Sequence, residues 1–282
     1  MQILVTGSQG MLGTDLCRIL MDSSEYQVSG IDIQEADITS KNAIDSYLKE
    51  KPFDIIIHCA AYTDVDGSEK EPELAYAING KGTENIALLA QRLGAKLVYI
   101  STDFVFDGNK NEPYIESDIP NPISAYGKSK LVGEQYVQQL LTEYYLIRTS
   151  WLYGKHHKNF VDTILSKAKE GELLRVVNDQ LGSPTYSIDL AIAIKNLIKT
   201  EKFGIYHISN SGICSWYDIA CEILKIEMID DKVKVVPITS EELGRLANRP
   251  KYSKLDTTKY EQTTGQSLRP WQDAVKEYLT TD

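Results

Sequence analysis

No apolar run in this chain comes near the roughly 20 residues that a bilayer-spanning helix needs, and no charged leader or apolar signal stretch precedes its first strand-like segment. The expectation is a cytoplasmic protein with no membrane partner. Cysteine is scarce. Cys17, Cys59, Cys214 and Cys221 form no Cys-x-x-Cys pair, and three of them lie in apolar segments where a reduced thiol packs as a small hydrophobe, so neither a disulfide framework nor a zinc site is indicated. Positive charge is in deficit, with 30 Lys and Arg against 40 Asp and Glu and a net charge of −10. Nucleic acid and anionic membranes require a basic face and are excluded as partners; an anionic small molecule would have to be met by local cations. Repeats, low-complexity tracts and flexible linkers are missing too. What remains is 282 residues at 42% hydrophobic content, enough for one large core or two unequal lobes.

What the chain has is an ordered alternation. An apolar run at 2–6 leads straight into Gly7-Ser8-Gln9-Gly10-Met11-Leu12-Gly13, where a strand must end and a helix begin. Glycines at 7, 10 and 13 allow a tight turn, close approach of backbone N–H groups to a pyrophosphate, and close helix packing, while the helix N-terminus adds partial positive charge. A second run, 27–31, ends in Asp32, about 20 residues past the glycines, where a carboxylate accepts hydrogen bonds from adenosine ribose hydroxyls. Further β-rich runs at 54–59, 96–101 and 144–148 alternate with helix-length segments, which predicts an α/β fold with a parallel sheet covered by helices on both faces. Past Trp151 come a helix over 159–169, a strand over 173–177, a helix over 188–199, a strand over 204–208 and a helix over 216–224. This part reads as a smaller lobe interleaved with the first.

Ligands of open parallel sheets bind at the carboxyl ends of the strands. There the chain places Ala60-Ala61-Tyr62, small residues that let a cofactor lie against the backbone, and Ser101-Thr102-Asp103, three polar groups together. Some 24 residues later Tyr126-Gly127-Lys128-Ser129-Lys130 opens a helix that puts Tyr126 and Lys130 one turn apart on one face. A lysine ammonium stabilises a neighbouring phenolate, so the tyrosine pKa is expected to fall from about 10 towards neutrality, making it a general acid, with Thr102 orienting the same substrate oxygen. About one Tyr-x-x-x-Lys arises by chance in such a composition, and Tyr47 with Lys51 is a second. The latter has no polar constellation around it and reads as an exposed helix pair.

Thr6-Gly7-x-x-Gly10-x-Leu12-Gly13, Asp37-Ile38-Thr39, Cys59-Ala60-Ala61-Tyr62-Thr63, Asn79-x-x-Gly82-Thr83-x-Asn85, Ser101-Thr102-Asp103, Tyr126-x-x-x-Lys130 and the run from Arg148 to Gly154 resemble the extended short-chain dehydrogenase/reductase superfamily. Within it the chain is most similar to the dTDP-4-dehydrorhamnose reductases. The match continues through Asp179-Gln180-x-Gly182-Ser183-Pro184-Thr185 and Arg249-Pro250-x-x-Ser253-x-Leu255. The resemblance implies a Rossmann-type doubly wound parallel sheet over 1–150 and a smaller, interleaved C-terminal substrate lobe over 151–282, part of which returns to the first. It implies reduction of a dTDP-linked 4-keto-6-deoxy sugar by NAD(P)H, with Thr102, Tyr126 and Lys130 as the catalytic triad. Gly7, Gln9, Gly10, Met11, Leu12, Asp32, Asp37, Ile38, Ala60, Ala61, Tyr62, Asn79 and Ser101 would line the dinucleotide together with Tyr126 and Lys130. Thr102, Asp103, Phe104, Val105, Trp151, Asn159 and Arg249 would face the sugar nucleotide. Phe104 departs from the tyrosine common there, which removes a hydroxyl from the pocket. Some members hold magnesium at a dimer contact through acids near Asp15 and Asp189, but Ile188 takes the ligand register, so both carboxylates read as solvated surface groups and no metal is assigned. A homodimer is left open.

Because Asp32 would repel a 2′-phosphate and no Arg or Lys stands at 33–36, NADH is expected to be preferred, with NADPH accepted. Two rivals remain on the sequence. Epimerisation or reduction of a related nucleotide sugar is one, whereas a dehydratase would need an acid where Phe104 stands. The other is a non-catalytic dinucleotide-binding regulatory subunit like that of methionine adenosyltransferase. His156 and His157 adjoin and so point apart, which disfavours a metal site. His58 and His207 end strands and read as satisfied packing residues, and Trp216 follows Ser215, a candidate N-cap, as a core anchor.

Overall fold

A computed structural model describes residues 1–48, 51–171 and 173–281. Five strands, β1 (Gln2–Thr6), β2 (Gln27–Ile31), β3 (Ile55–His58), β4 (Lys96–Thr102) and β5 (Tyr144–Thr149), join Gly204–His207 in one six-stranded sheet. Its order is β2, β1, β3, β4, β5 and Gly204–His207, and every pairing is parallel. All four residues of β3 are buried, as expected of a strand with helices on both faces. The winding reverses between β1 and β3, and the crevice outside their carboxyl ends is where a ligand of such a sheet binds.

One face of the sheet is covered by α1 (Met11–Met21), whose Leu12, Leu16 and Leu20 recur at helical spacing, and by the helix Ser187–Leu197 through Leu190, Ile194 and Leu197; both rest on Ile3, Val5 and Ile57. On the other face Ile44, Ile86, Ala90 and Val137 pack on Leu4, Ile56, Leu97 and Leu146. Each such buried aliphatic side chain contributes about 1.5–3 kcal/mol relative to its exposed form. Residues from 187 onward thus cover the sheet and, through Gly204–His207 beside β5, extend it. A separate core gathers Val161 and Ile164 of the helix Phe160–Lys169, Ile219 and Ile223 of Trp216–Ile226, and Val275 and Tyr278 of Trp271–Thr280.

The strands expected at 54–59, 96–101, 144–148, 173–177 and 204–208 are found within a residue or two. Leu174–Val177 pairs with Val235–Ile238, a partner that the prolines of the C-terminal region concealed. Two-residue pairings, Leu152–Tyr153 with Thr185–Tyr186 and Leu181–Gly182 with Cys214–Ser215, are too short to carry any periodicity. Ser215 caps Trp216–Ile226 in a full capping box with Asp218. The Tyr47 and Lys51 pair is corrected in one respect. The helix is Lys41–Leu48, so Lys51 lies outside it, its ammonium 4.5 Å from the Tyr47 ring centroid in a cation–π contact.

Candidate active site

The glycine turn is forced by close contacts. Gly7 has φ +67°, and a Cβ there would stand 2.6 Å from the Ala60 nitrogen at the end of β3. A Cβ on Gly13 would lie 2.0 Å from the Gly7 carbonyl oxygen, so only glycine lets α1 sit against the turn. No side chain caps α1 at Gly10, which leaves its first N–H groups facing out for an anion. The turn therefore fits a dinucleotide pyrophosphate. Asp32, at the end of β2, accepts hydrogen bonds from the Gln9 N–H at 3.0 Å and the Ile33 N–H at 2.9 Å, and Glu35 accepts one from the Asp32 N–H at 2.8 Å. Ala60, Ala61 and Tyr62 are half-buried at the mouth beside it.

Other residues expected at the dinucleotide are held in place by contacts within the protein. Leu12 packs in the core under α1, while Ile38 is buried against Gly82. Asp37 accepts hydrogen bonds from the N–H and hydroxyl of Thr39. Asn79, on the π-helical turn Ala77–Gly82, holds both the N–H and the carbonyl of Tyr62 and donates to Ser129, so it fixes the segment after β3. Ser101 is buried and donates to Glu134 at 2.6 Å.

Tyr126 and Lys130 lie on the helix Ala125–Leu140, whose N-cap Ser124 accepts from the Gly127 N–H at 3.1 Å. The helix packs across the ends of β4 and β5 and brings Tyr126 beside Thr102, the last residue of β4, whose hydroxyl donates to Asp103 Oδ1 at 3.0 Å. Phe104 meets the Tyr126 ring edge to face at 5.6 Å. The expected fall in the tyrosine pKa is overturned. Burial raises it to about 12, the neighbouring Asp103 adds to the rise, and Thr102 pulls the other way. The lysine instead donates to the Ile100 carbonyl at 2.7 Å, with its ammonium 4.3 Å from the Tyr99 ring centroid. Burial also pushes Lys130 down to about 7. A tyrosine raised in this way keeps its proton at neutral pH and can donate it.

Sequence reasoning missed Glu134. It is wholly buried one turn beyond Lys130, and its carboxylate receives Arg148 in a fork at 2.9 and 2.7 Å. Its signal was the register: a glutamate at 134 shares the buried face that carries 126 and 130.

Residues expected on the sugar-nucleotide side divide into two groups. Trp151, with φ +48°, stacks on Trp216 at 3.9 Å and 11°, so Trp216 is one half of an aromatic pair and only half-buried. Arg249 is held by Asp66 through both terminal nitrogens at 3.3 Å, and Arg245 reaches the same carboxylate. Asp103 is buried beside Thr102, pushed up to about 6 by burial, and its Oδ2 has no hydrogen-bond partner among the described residues. Val105 and Asn159 each have partners within the protein. Val105 is fully buried with Phe106, Tyr114 and Leu255, while Asn159 caps its helix and donates to Tyr278.

Asp15 and Asp189 are not solvated, contrary to expectation. Asp15 is 1% exposed, accepts from Ser187 at 2.5 Å and pairs with His156 at 3.3 Å. Asp189 is chelated by Arg269 at 2.9 Å through both oxygens. The cause is the helix Ser187–Leu197, which lies on α1 and buries the two acids between partners. His157 bonds the Gln9 carbonyl at 3.0 Å. His58, between Thr6 and Thr83, and His207, on the Tyr114 carbonyl, are satisfied packing residues as expected.

Fold and site together define a nicotinamide-dependent oxidoreductase of the extended short-chain dehydrogenase/reductase class. The description RmlD substrate binding domain matches residues 1–282, and the chain belongs to that family. Its relatives include the spore coat polysaccharide biosynthesis protein SpsK of Bacillus subtilis, 42% identical over 99% of this chain and 96% of that one. The dTDP-4-dehydrorhamnose reductase of Aggregatibacter actinomycetemcomitans is 40% identical, over 98% and 97% respectively. The crystal structure of dTDP-4-dehydrorhamnose reductase from Bacillus anthracis, in complex with NADP, superposes with a TM-score of 0.96 at 43% identity and covers 100% of this chain and 99% of that one.

Proposed function

We propose that this chain reduces the C4 keto group of dTDP-4-dehydro-6-deoxy-L-mannose, also called dTDP-4-dehydrorhamnose, to give dTDP-L-rhamnose for cell-surface polysaccharide. The observation that carries this reading is Tyr126 brought beside Thr102 at the end of β4, one helical turn from the buried Lys130. Full-length relatives named as dTDP-4-dehydrorhamnose reductases support the substrate. In this reading residues 1–150 hold the dinucleotide and 151–282 mainly hold the sugar nucleotide.

The glycine turn and α1 would hold the pyrophosphate, Asp32 the adenosine ribose, and Lys130 the nicotinamide ribose. When bound, the nicotinamide supplies a hydride. Thr102 orients the substrate O4, and Tyr126, which keeps its proton at neutral pH, donates it to that oxygen as negative charge develops there. Stacked Trp151 and Trp216 give the sugar nucleotide a flat apolar wall, and Arg249, with Asp66 behind it, offers a fixed cation to the diphosphate. Asp32 and Glu35 at the end of β2 place two carboxylates where a 2′-phosphate would lie, so NADH is favoured over NADPH.

Mixing the protein with dTDP-4-keto-6-deoxy-L-mannose and following absorbance loss with each cofactor tests both parts. Stoichiometric NADH consumption is expected, with the larger kcat/KM for NADH. Interconversion without net consumption would replace reduction by epimerisation, and a clear NADPH preference would remove the role given to the Asp32 loop.

A further inference from the structure

Three residues on one face of the helix Ala125–Leu140 follow at successive turns: Tyr126, Lys130 and Glu134. The third is tied to both neighbouring strands. Its Oε1 accepts from Ser101, the residue before Thr102 on β4, and its two oxygens take the Arg148 guanidinium from β5. Arg148 is itself 2% exposed, leans on the Phe106 ring and touches His207 at 3.4 Å. Such a buried ion pair is weak evidence for stability, because apolar residues of the same volume often serve as well or better. A position so costly to fill with charge needs another reason.

We propose that Glu134 is a positioning residue for Tyr126 and Lys130: clamped to Arg148 and Ser101, it seats the reactive face of the helix on β4 and β5 and balances the lysine ammonium. Lys130 is faced by His58 and Cys59 at the end of β3, by Tyr99 of β4 and by Glu134 on its own helix. Of these, Glu134 is the strongest influence that favours the charged lysine, against the burial that disfavours it. The inference rests on the reductase reading, but its test does not depend on turnover.

Competitive labelling with acetic anhydride followed by mass spectrometry reports the pH at which the Lys130 amine becomes reactive. It is applied to the unmodified protein, to Glu134→Gln, and to Glu134→Gln combined with Arg148→Met, which leaves no unpaired guanidinium. In the unmodified protein the midpoint is expected near 7. In a variant that circular dichroism shows to be folded it should fall by roughly one pH unit, and kcat should fall at least about tenfold with NADH affinity little changed. An unmoved labelling midpoint in a folded variant overturns the proposal. So does loss of the fold in both variants, which would make the pair purely structural. If the unmodified protein gives no turnover but the midpoint shifts, the reductase reading fails and the positioning role stands.

Discussion

Tyr126 is the residue on which the chemistry turns, and its environment sets what it can do. Burial holds its hydroxyl protonated at neutral pH, so the side chain acts as an acid and not as a standing phenolate. Tyr126→Phe keeps the ring against Phe104 and removes the proton, and should lower kcat by about two to four orders of magnitude. Fluorescence titration should show NADH binding preserved, and Tyr47→Phe should leave the rate unchanged. Retention of more than about a tenth of the rate would remove Tyr126 from the proton transfer. The spacing of Tyr126 and Lys130 was legible in the sequence because helical geometry is local. The direction of the tyrosine shift was not, because it depends on how much protein closes over the hydroxyl and on Lys130 turning to the Ile100 carbonyl. Glu134, Val105 and Asn159 teach the same lesson: a residue's register is written in the chain, whereas its partner comes from a strand or helix far away in it.

At the scale of elements, the turn between β1 and α1 separates two roles that three similar glycines share. Gly13 serves packing, since an added methyl would stand 2.0 Å from the Gly7 carbonyl oxygen. Gly13→Ala should destabilise the fold by the 1–3 kcal/mol typical of overpacking, or more, which is read as a lowered Tm. Gly10 has φ −72°, which any residue adopts, and a Cβ there would meet only the Gly7 carbonyl oxygen, at 3.1 Å, a far milder conflict than at Gly13 that a shift of a few tenths of an ångström relieves. Gly10→Val should therefore melt within a few degrees of the unmodified protein while calorimetry shows NADH affinity collapsing. Unchanged affinity would move the pyrophosphate elsewhere. The long strands and helices of the sheet were legible because their apolar patterns run for many residues. The paired dipeptides at 152–153, 181–182 and 185–186 were not, since two residues have no period.

For the molecule as a whole, two buried histidines set the acid limit. Burial lowers His58 and His207 to about 3, so the folded state stays unprotonated at both while the unfolded chain takes up protons below about 6.5. Their contribution is complete above that pH and is lost as pH falls towards 3, at about 2 kcal/mol per histidine by pH 5. Asp103, raised to about 6, works in the opposite sense and returns about 1 kcal/mol over the last unit before pH 5. The histidines dominate. The urea midpoint should drop between pH 7 and pH 5, and His58→Gln should remove about two-thirds of the net drop; an equal midpoint at both pH values would show that neither histidine must charge on unfolding.

The strand Gly204–His207 and the helix Ser187–Leu197 have one more consequence, and it concerns time. A ribosome delivers β1 to β5 first, yet the sheet they form still lacks the edge strand beside β5 and the helix that lies over α1. At the usual pace of translation the missing pieces follow after an interval of about 3–12 s, during which an open strand edge and an apolar helix face are presented to the cell. The nascent chain is therefore most vulnerable to misassociation midway through its own synthesis, when its dinucleotide turn already exists but the sheet behind it is still unsealed.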